Sequence, residues 1–164
     1  MNIFLIGMMG TGKSTVGVLL ANELKIPFVD LDKEIEKSTR KTISGIFKLD
    51  GEARFRRIET ERLKEVSASV VSCGGGIILK EENRNFIKVN GTTILLTASI
   101  DELVRRLKGA GKRPLLAKNN EKESLIKLWL DRRAQYLSIA DVTIDTDGKT
   151  SIQITNEILL DLKS

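Results

Sequence analysis

Short apolar runs that alternate with longer amphipathic stretches predict an α/β fold, a parallel sheet with helices on both faces. Three observations carry that expectation. Apolar runs of strand length recur at residues 3–6, 28–29, 70–73, 93–96 and 142–144, with helical patterns between them. The first run breaks into a glycine-rich turn, residues 7–12, that opens directly into a helical pattern. No run nears the ~20 apolar residues of a membrane span.

Each element follows from its local pattern. Ile3–Ile6 reads as a strand, and Ser14 to Leu24 as a helix with Val16, Leu19, Leu20 and Leu24 on one face. Phe28-Val29 is a second strand. Lys33 to Ser38, Ile43 to Leu49 and Glu52 to Val66 are helices, the last with Phe55, Ile58 and Leu63 as its core stripe. Val70–Cys73 is the third strand, followed by a helix over roughly Glu81 to Val89. Thr93–Leu96 is the fourth strand and Ile100 to Leu107 a helix. After a loop rich in Gly, Lys and Asn, Lys122 to Tyr136 is helical, Val142–Ile144 is a fifth strand, and Ser151 to Leu162 is a closing helix. In parallel sheets ligands bind beyond the carboxyl ends of the strands, so the residues after each strand are the ones to search.

Composition narrows the chemistry. The chain has 164 residues, 41% hydrophobic and 30% charged, the size and balance of one globular domain over residues 1–164. It contains no histidine and one cysteine, which excludes a catalytic triad with imidazole, a His-type zinc site and an internal disulfide. The opening stretch, residues 1–7, has no basic leader and no small-residue cleavage site, so a cytoplasmic protein is expected rather than a secreted one. Net charge is +5, and the basic residues gather near 54–57, 105–113 and 132–133. Few aromatics accompany them, so a small, multiply charged ligand is expected and a nucleic-acid track is not. Nothing predicts a membrane partner.

Three strand ends carry candidate chemistry. Gly7-Met8-Met9-Gly10-Thr11-Gly12-Lys13-Ser14 matches G-x-x-x-x-G-K-[ST] without a mismatch. Its backbone N–H groups and the following helix N-terminus suit triphosphate oxygens. Lys13 would reach the β and γ phosphates, and the Ser14 hydroxyl would ligate Mg²⁺. The second strand ends in Asp30-Leu31-Asp32. Residues two apart in extended chain share a side, so both carboxylates are expected at the phosphate edge, one near magnesium and one as proton acceptor. Asp32 as a helix N-cap is the simpler alternative. The third strand ends in Ser72-Cys73-Gly74-Gly75-Gly76. Three bare residues predict that an acceptor molecule rests against that backbone. Cys73 reads as a small packed residue. On the helix between, Arg56 could clamp a carboxylate while Glu59 orients the clamp or takes a hydroxyl; a solvated ion-paired face is the alternative.

With these pieces in order, the sequence resembles the bacterial-type shikimate kinases. The matching residues are Gly7 to Ser14, Asp30-Leu31-Asp32, Gly51-Glu52 with Phe55-Arg56 and Glu59, Gly74-Gly75-Gly76, Arg113-Pro114-Leu115-Leu116, and Arg132 four before Tyr136. The resemblance implies a three-layer αβα P-loop kinase fold with sheet order 2-3-1-4-5. It implies ATP-dependent phosphorylation of shikimate to 3-phosphoshikimate. ATP would lie over Gly10, Thr11, Gly12, Lys13, Ser14 and Thr15, with Arg106 against the adenine and Asp30 holding Mg²⁺ through water. Shikimate would meet Asp32, Arg56, Gly74, Gly75, Gly76 and Arg132, in a pocket lined by Phe47, Phe55, Glu59, Pro114 and Leu115. Arg133 and Arg105 are neighbouring alternatives to Arg132 and Arg106.

The segment 108–124 mixes Gly109, Gly111, Asn119 and Asn120 with Lys112 and Arg113. A lid over about 108–121 is expected, since a kinase must exclude water, with helices over about 31–62 forming the acceptor side. Lys13, Asp32 and Arg113 would then be the catalytic set, in a monomer. Two alternatives remain open from residues alone: another small P-loop kinase, acting on gluconate or a nucleoside monophosphate, and a nucleotide-binding module without turnover.

Overall fold

The computed structural model describes residues 1–108 and 121–163. Its elements run β1 (Asn2–Ile6), α1 (Lys13–Leu24), β2 (Phe28–Asp30), α2 (Leu31–Thr39), α3 (Ile43–Leu49) and α4 (Glu52–Lys64). β3 (Val70–Ser72) follows, then a 3-10 turn (Ile77–Leu79), α5 (Glu81–Asn90), β4 (Gly91–Thr97) and α6 (Ile100–Lys108). Past the segment outside the described residues come α7 (Glu121–Ile139), β5 (Val142–Asp145) and α8 (Ser151–Asp161). The strands form one sheet in the order β2-β3-β1-β4-β5, and all four pairings are parallel.

The apolar runs explain the sheet. Phe4, Leu5 and Ile6 in the central strand are all fully buried, as expected for a parallel strand covered on both faces. The two-residue period sorts neighbours to opposite sides. Phe4, Ile6, Val71 and Leu95 pack with Ile87 and Tyr136 on one face. Leu5, Val70, Ile94 and Leu96 pack with Val16, Leu20 and Ile158 on the other. A third, smaller cluster of Ile35, Ile46, Phe55 and Ile58 ties α2, α3 and α4 together. These helices form an arm held by its own apolar centre beside the strand ends.

Register sets the working edge. Leu5 and Asp30 are both paired with Ser72, which brings the ends of β1, β2 and β3 side by side. One boundary departs from expectation in a way that matters. β2 runs through Asp30 and α2 begins at once at Leu31, two residues before the expected start. Asp30, not Asp32, is the N-cap, its carboxylate accepting from the Lys33 amide at 3.3 Å. Asp32 therefore lies in the first helical turn, so strand alternation is not what aims it. α7 also extends past Tyr136 to Ile139, because Ile139 is itself buried against the sheet.

Candidate active site

The phosphate loop is shaped by backbone. Gly10 and Gly12 take left-handed φ values of +84° and +93°, where a side chain would be strained. At Gly7 an added Cβ would stand 2.3 Å from the Leu96 carbonyl oxygen, so only glycine lets the loop turn against β4. Lys13 Nζ donates to the Gly7 and Met8 carbonyls, both at 2.9 Å, which folds the ammonium across the loop. Ser14 Oγ donates to Asp30 Oδ2 at 2.7 Å and lies 3.2 Å from Ser72 Oγ.

Beside the loop opens a cavity of about 480 Å³. It brings together Gly10, Gly12, Lys13, Ser14, Thr15, Asp30, Asp32, Phe47, Phe55, Arg56, Glu59, Gly74, Gly75, Gly76 and Arg132. Arg132 is buried and lines this cavity, whereas Arg133 is exposed and does not. Thr11 is the expected loop residue whose side chain turns elsewhere, its hydroxyl donating to Met8 O at 2.8 Å. Arg106 lies on the far side of the loop. Its side chain is 22% exposed against 73% for Arg105, and it bonds Gly10 O and Thr146. Arg113, Pro114 and Leu115 lie outside the described residues, as does nearly all of the expected lid.

The solvated ion-paired face that stood as the alternative for α4 is not what forms; Arg56 and Glu59 make a buried ion pair. Arg56 Nη1 donates to Glu59 Oε2 at 2.8 Å, and Glu59 is only 1% exposed. Arg56 also reaches Glu52 at 3.4 Å and stacks 5.0 Å from the centroid of the Phe55 ring, which packs on Phe47. Burial pushes the Glu59 carboxyl above the usual carboxylate range; Arg56 works against that shift, and Asp32 adds to it. Among the described residues, Glu59 Oε1 and Arg56 Nε are buried without a hydrogen-bond partner. Such atoms are costly unless a guest or water meets them.

The three glycines have a more specific reason than the one expected. None has a positive φ, so conformational freedom is not the point. A Cβ on Gly76 would sit 2.3 Å from Arg56 Nη2, and one on Gly74 would sit 2.9 Å from Glu59 Oε1 and 3.0 Å from Asp32 Oδ1. Two of the three are bare to admit the chain's own charged side chains. Gly75 alone would make only ordinary contacts, 3.5 Å from Arg132 Nη1 and Tyr136 Oη.

Sequence reasoning gave no role to Tyr136, Ser72 or Thr146. Tyr136 donates its hydroxyl to Gly75 O and stacks with Trp129, and burial pushes its phenol up to about 12. A buried tyrosine needs a partner for its hydroxyl, which is the signal that could have flagged it. Cys73 is packed as expected, its thiol pushed up by burial.

The family model for shikimate kinase matches residues 9–163. A shikimate kinase of Persephonella marina is 45% identical, over 96% of this chain and 96% of its own length. One from Coxiella burnetii is 44% identical, over 99% and 93%. Among solved structures, a shikimate kinase from Acinetobacter baumannii in complex with shikimate superposes with a TM-score of 0.94 at 38% identity, covering 99% of this chain and 93% of that one. The chain belongs to the shikimate kinase family.

Proposed function

We infer that this chain transfers the γ-phosphoryl group of ATP to a hydroxyl of shikimate, releasing 3-phosphoshikimate and ADP. One observation carries the reading. A triphosphate loop, the buried side chains of Arg56, Glu59 and Arg132, and the half-buried Asp32 open into a single cavity. An acceptor there needs an anionic end for the guanidinium groups and hydroxyls for the carboxylates, which is what a hydroxylated ring acid offers.

The residues divide the work. Lys13 and the loop amides spread the charge of the phosphates. Arg56 and Arg132 take the acceptor's carboxylate, with Gly74, Gly75 and Gly76 forming the floor and Phe47 and Phe55 one wall. Glu59 fixes Arg56 in place. Asp32 orients the attacking hydroxyl and accepts its proton as the new P–O bond forms and the bond to the ADP oxygen breaks; the proton then leaves to water. Phosphoryl transfer passes through a loose transition state, so an ordinary carboxylate is a sufficient base. Arg113, Pro114 and Leu115 complete the site in this reading, with Arg113 on the phosphates. We read residues 1–164 as one domain acting as a cytoplasmic monomer; no described helix is long and apolar enough to cross a membrane.

Magnesium fits the residues present. Ser14 Oγ and Asp30 Oδ2, bonded to each other with Ser72 Oγ adjacent, are hard oxygen donors at the loop. Magnesium keeps several waters and takes one or two protein oxygens together with phosphate, which this pair of donors can supply. When bound, the ion supplies positive charge to the phosphate oxygens.

A coupled assay of ADP release tests the reading, with shikimate, gluconate and adenosine monophosphate offered in turn. Release that depends on shikimate and exceeds the other two is expected. Equal or faster release with gluconate or the monophosphate overturns the acceptor. Absence of turnover with all three overturns the enzyme.

A further inference from the structure

Beyond any contact with a base, the geometry points to Arg106 as the residue that holds the phosphate loop in its binding shape, with Glu102 positioning Arg106. The inference rests on reading that loop as a nucleotide site.

Every nitrogen of the Arg106 guanidinium is engaged. Nε donates to Glu102 Oε1 at 2.8 Å. Nη1 donates to Gly10 O at 3.2 Å and to Thr146 Oγ1 at 3.0 Å, and Nη2 donates to Thr146 O at 3.1 Å. Thr146 is itself fully buried and tied to Thr97, its amide and hydroxyl both donating to the Thr97 carbonyl. The planar cation thus joins three segments: the tip of the loop, α6, and the turn after β5.

The bond to Gly10 O acts on the loop's conformation. A peptide unit is planar, with its C=O and N–H pointing opposite ways. Arg106 holds the carbonyl of the Gly10–Thr11 unit, and Met8 O receives the Thr11 amide at 3.4 Å and the Thr11 hydroxyl at 2.8 Å. Both ends of that unit are therefore held, on opposite sides of the tip. This fixes where Gly12 begins α1 and where the amides that follow point. Apolar packing supports the same contact. Gly10's missing side chain lets Leu107 and Leu103 of α6 approach; a Cβ there would stand 3.2 Å from Leu107 Cγ.

Glu102 is what keeps the guanidinium in that plane. Its carboxylate also receives Nε and Nη2 of Arg105 at 2.8 and 2.6 Å. With two guanidinium groups bonded to it, its carboxyl is pulled down to about 2, so it stays charged across the working range of pH.

The test compares the wild type with Arg106→Ala and with the gentler Glu102→Gln, used also if the first fails to fold. Two quantities are read: amide exchange at residues 7–12 without ligand, and the Kd of ADP by calorimetry. Losing a charge-assisted bond at the loop tip predicts exchange about tenfold faster at residues 7–12, and ADP about tenfold weaker, in Arg106→Ala. Glu102→Gln moves both the same way by roughly threefold, while Val70–Ser72 exchange as in the wild type. Weaker ADP with unchanged exchange at 7–12 overturns the inference, since Arg106 then acts by touching nucleotide alone. Faster exchange with unchanged ADP affinity also overturns it, as does faster exchange throughout the sheet. A wild type that binds no ADP sinks the nucleotide reading itself, a result distinct from these.

Discussion

The two halves of the cavity are made of different material. The phosphate side is built from eight consecutive residues, and what it presents is backbone turned inward by glycines at positive φ. The acceptor side is built from side chains delivered by α2, α4 and α7, with Arg56, Glu59 and Arg132 all buried. Outside Lys13 and Ser14, the backbone half tolerates changes of side chain but not of peptide geometry. A side-chain site made of buried charges is the reverse, since removing one member strands another.

Asp32→Asn presses hardest on the contrast. Transfer is expected to fall about 10³-fold, while ADP affinity stays within roughly threefold, because general-base loss leaves the backbone half intact. Turnover by steady-state kinetics and ADP titration check it, and retained turnover shows the carboxylate to be dispensable. Gly76→Ala comes next. Its methyl group occupies the place of the Arg56 guanidinium, so KM for shikimate is expected to rise about 100-fold with ADP affinity little changed. An unchanged KM would mean that Arg56 relocates without consequence.

Glu59→Gln gives a smaller effect with a defined sign. The folded pKa of Glu59 is raised, so its contribution to stability is present below the unfolded value of about 4.3 and is lost as pH rises through the folded value. Gln does not titrate. Melting temperatures from pH 4 to 7 should therefore drift in favour of the variant as pH rises, and a drift the other way refutes the assignment. Ala68→Gly touches neither half. Ala68 sits at φ +46°, a left-handed conformation that glycine adopts at less cost, so a gain of about 0.5–1 kcal/mol is expected with both ligand affinities unchanged.

The same contrast explains what could be read from the sequence. The phosphate loop was legible because its geometry is local; the string of residues 7–14 is the site. The strands were legible because a parallel sheet demands near-continuous apolar runs, and Phe4–Ile6 and Val70–Val71 supply them. Sheet order came from resemblance and not from the residues. Arg56 and Glu59 could be named, but their burial could not, because the cover is supplied by other elements. The triple glycine announced a close approach without saying by what. Arg106 was assigned to the adenine. Its bond to Gly10, 96 residues away, and its link to Thr146, 40 residues away, leave no local signature. Asp30 took the capping role that stood as the alternative for Asp32, because the helix starts two residues early, within the usual error of a boundary.

The chain's one thiol has a practical use. Cys73 stands in the wall between the two halves, 2% exposed and held in its unreactive protonated form. A thiol-directed label can reach it only when the strand ends part. The labelling rate is then a clock for breathing of this edge, and the slowing of that clock by each ligand, alone and together, would report how tightly each one shuts the molecule.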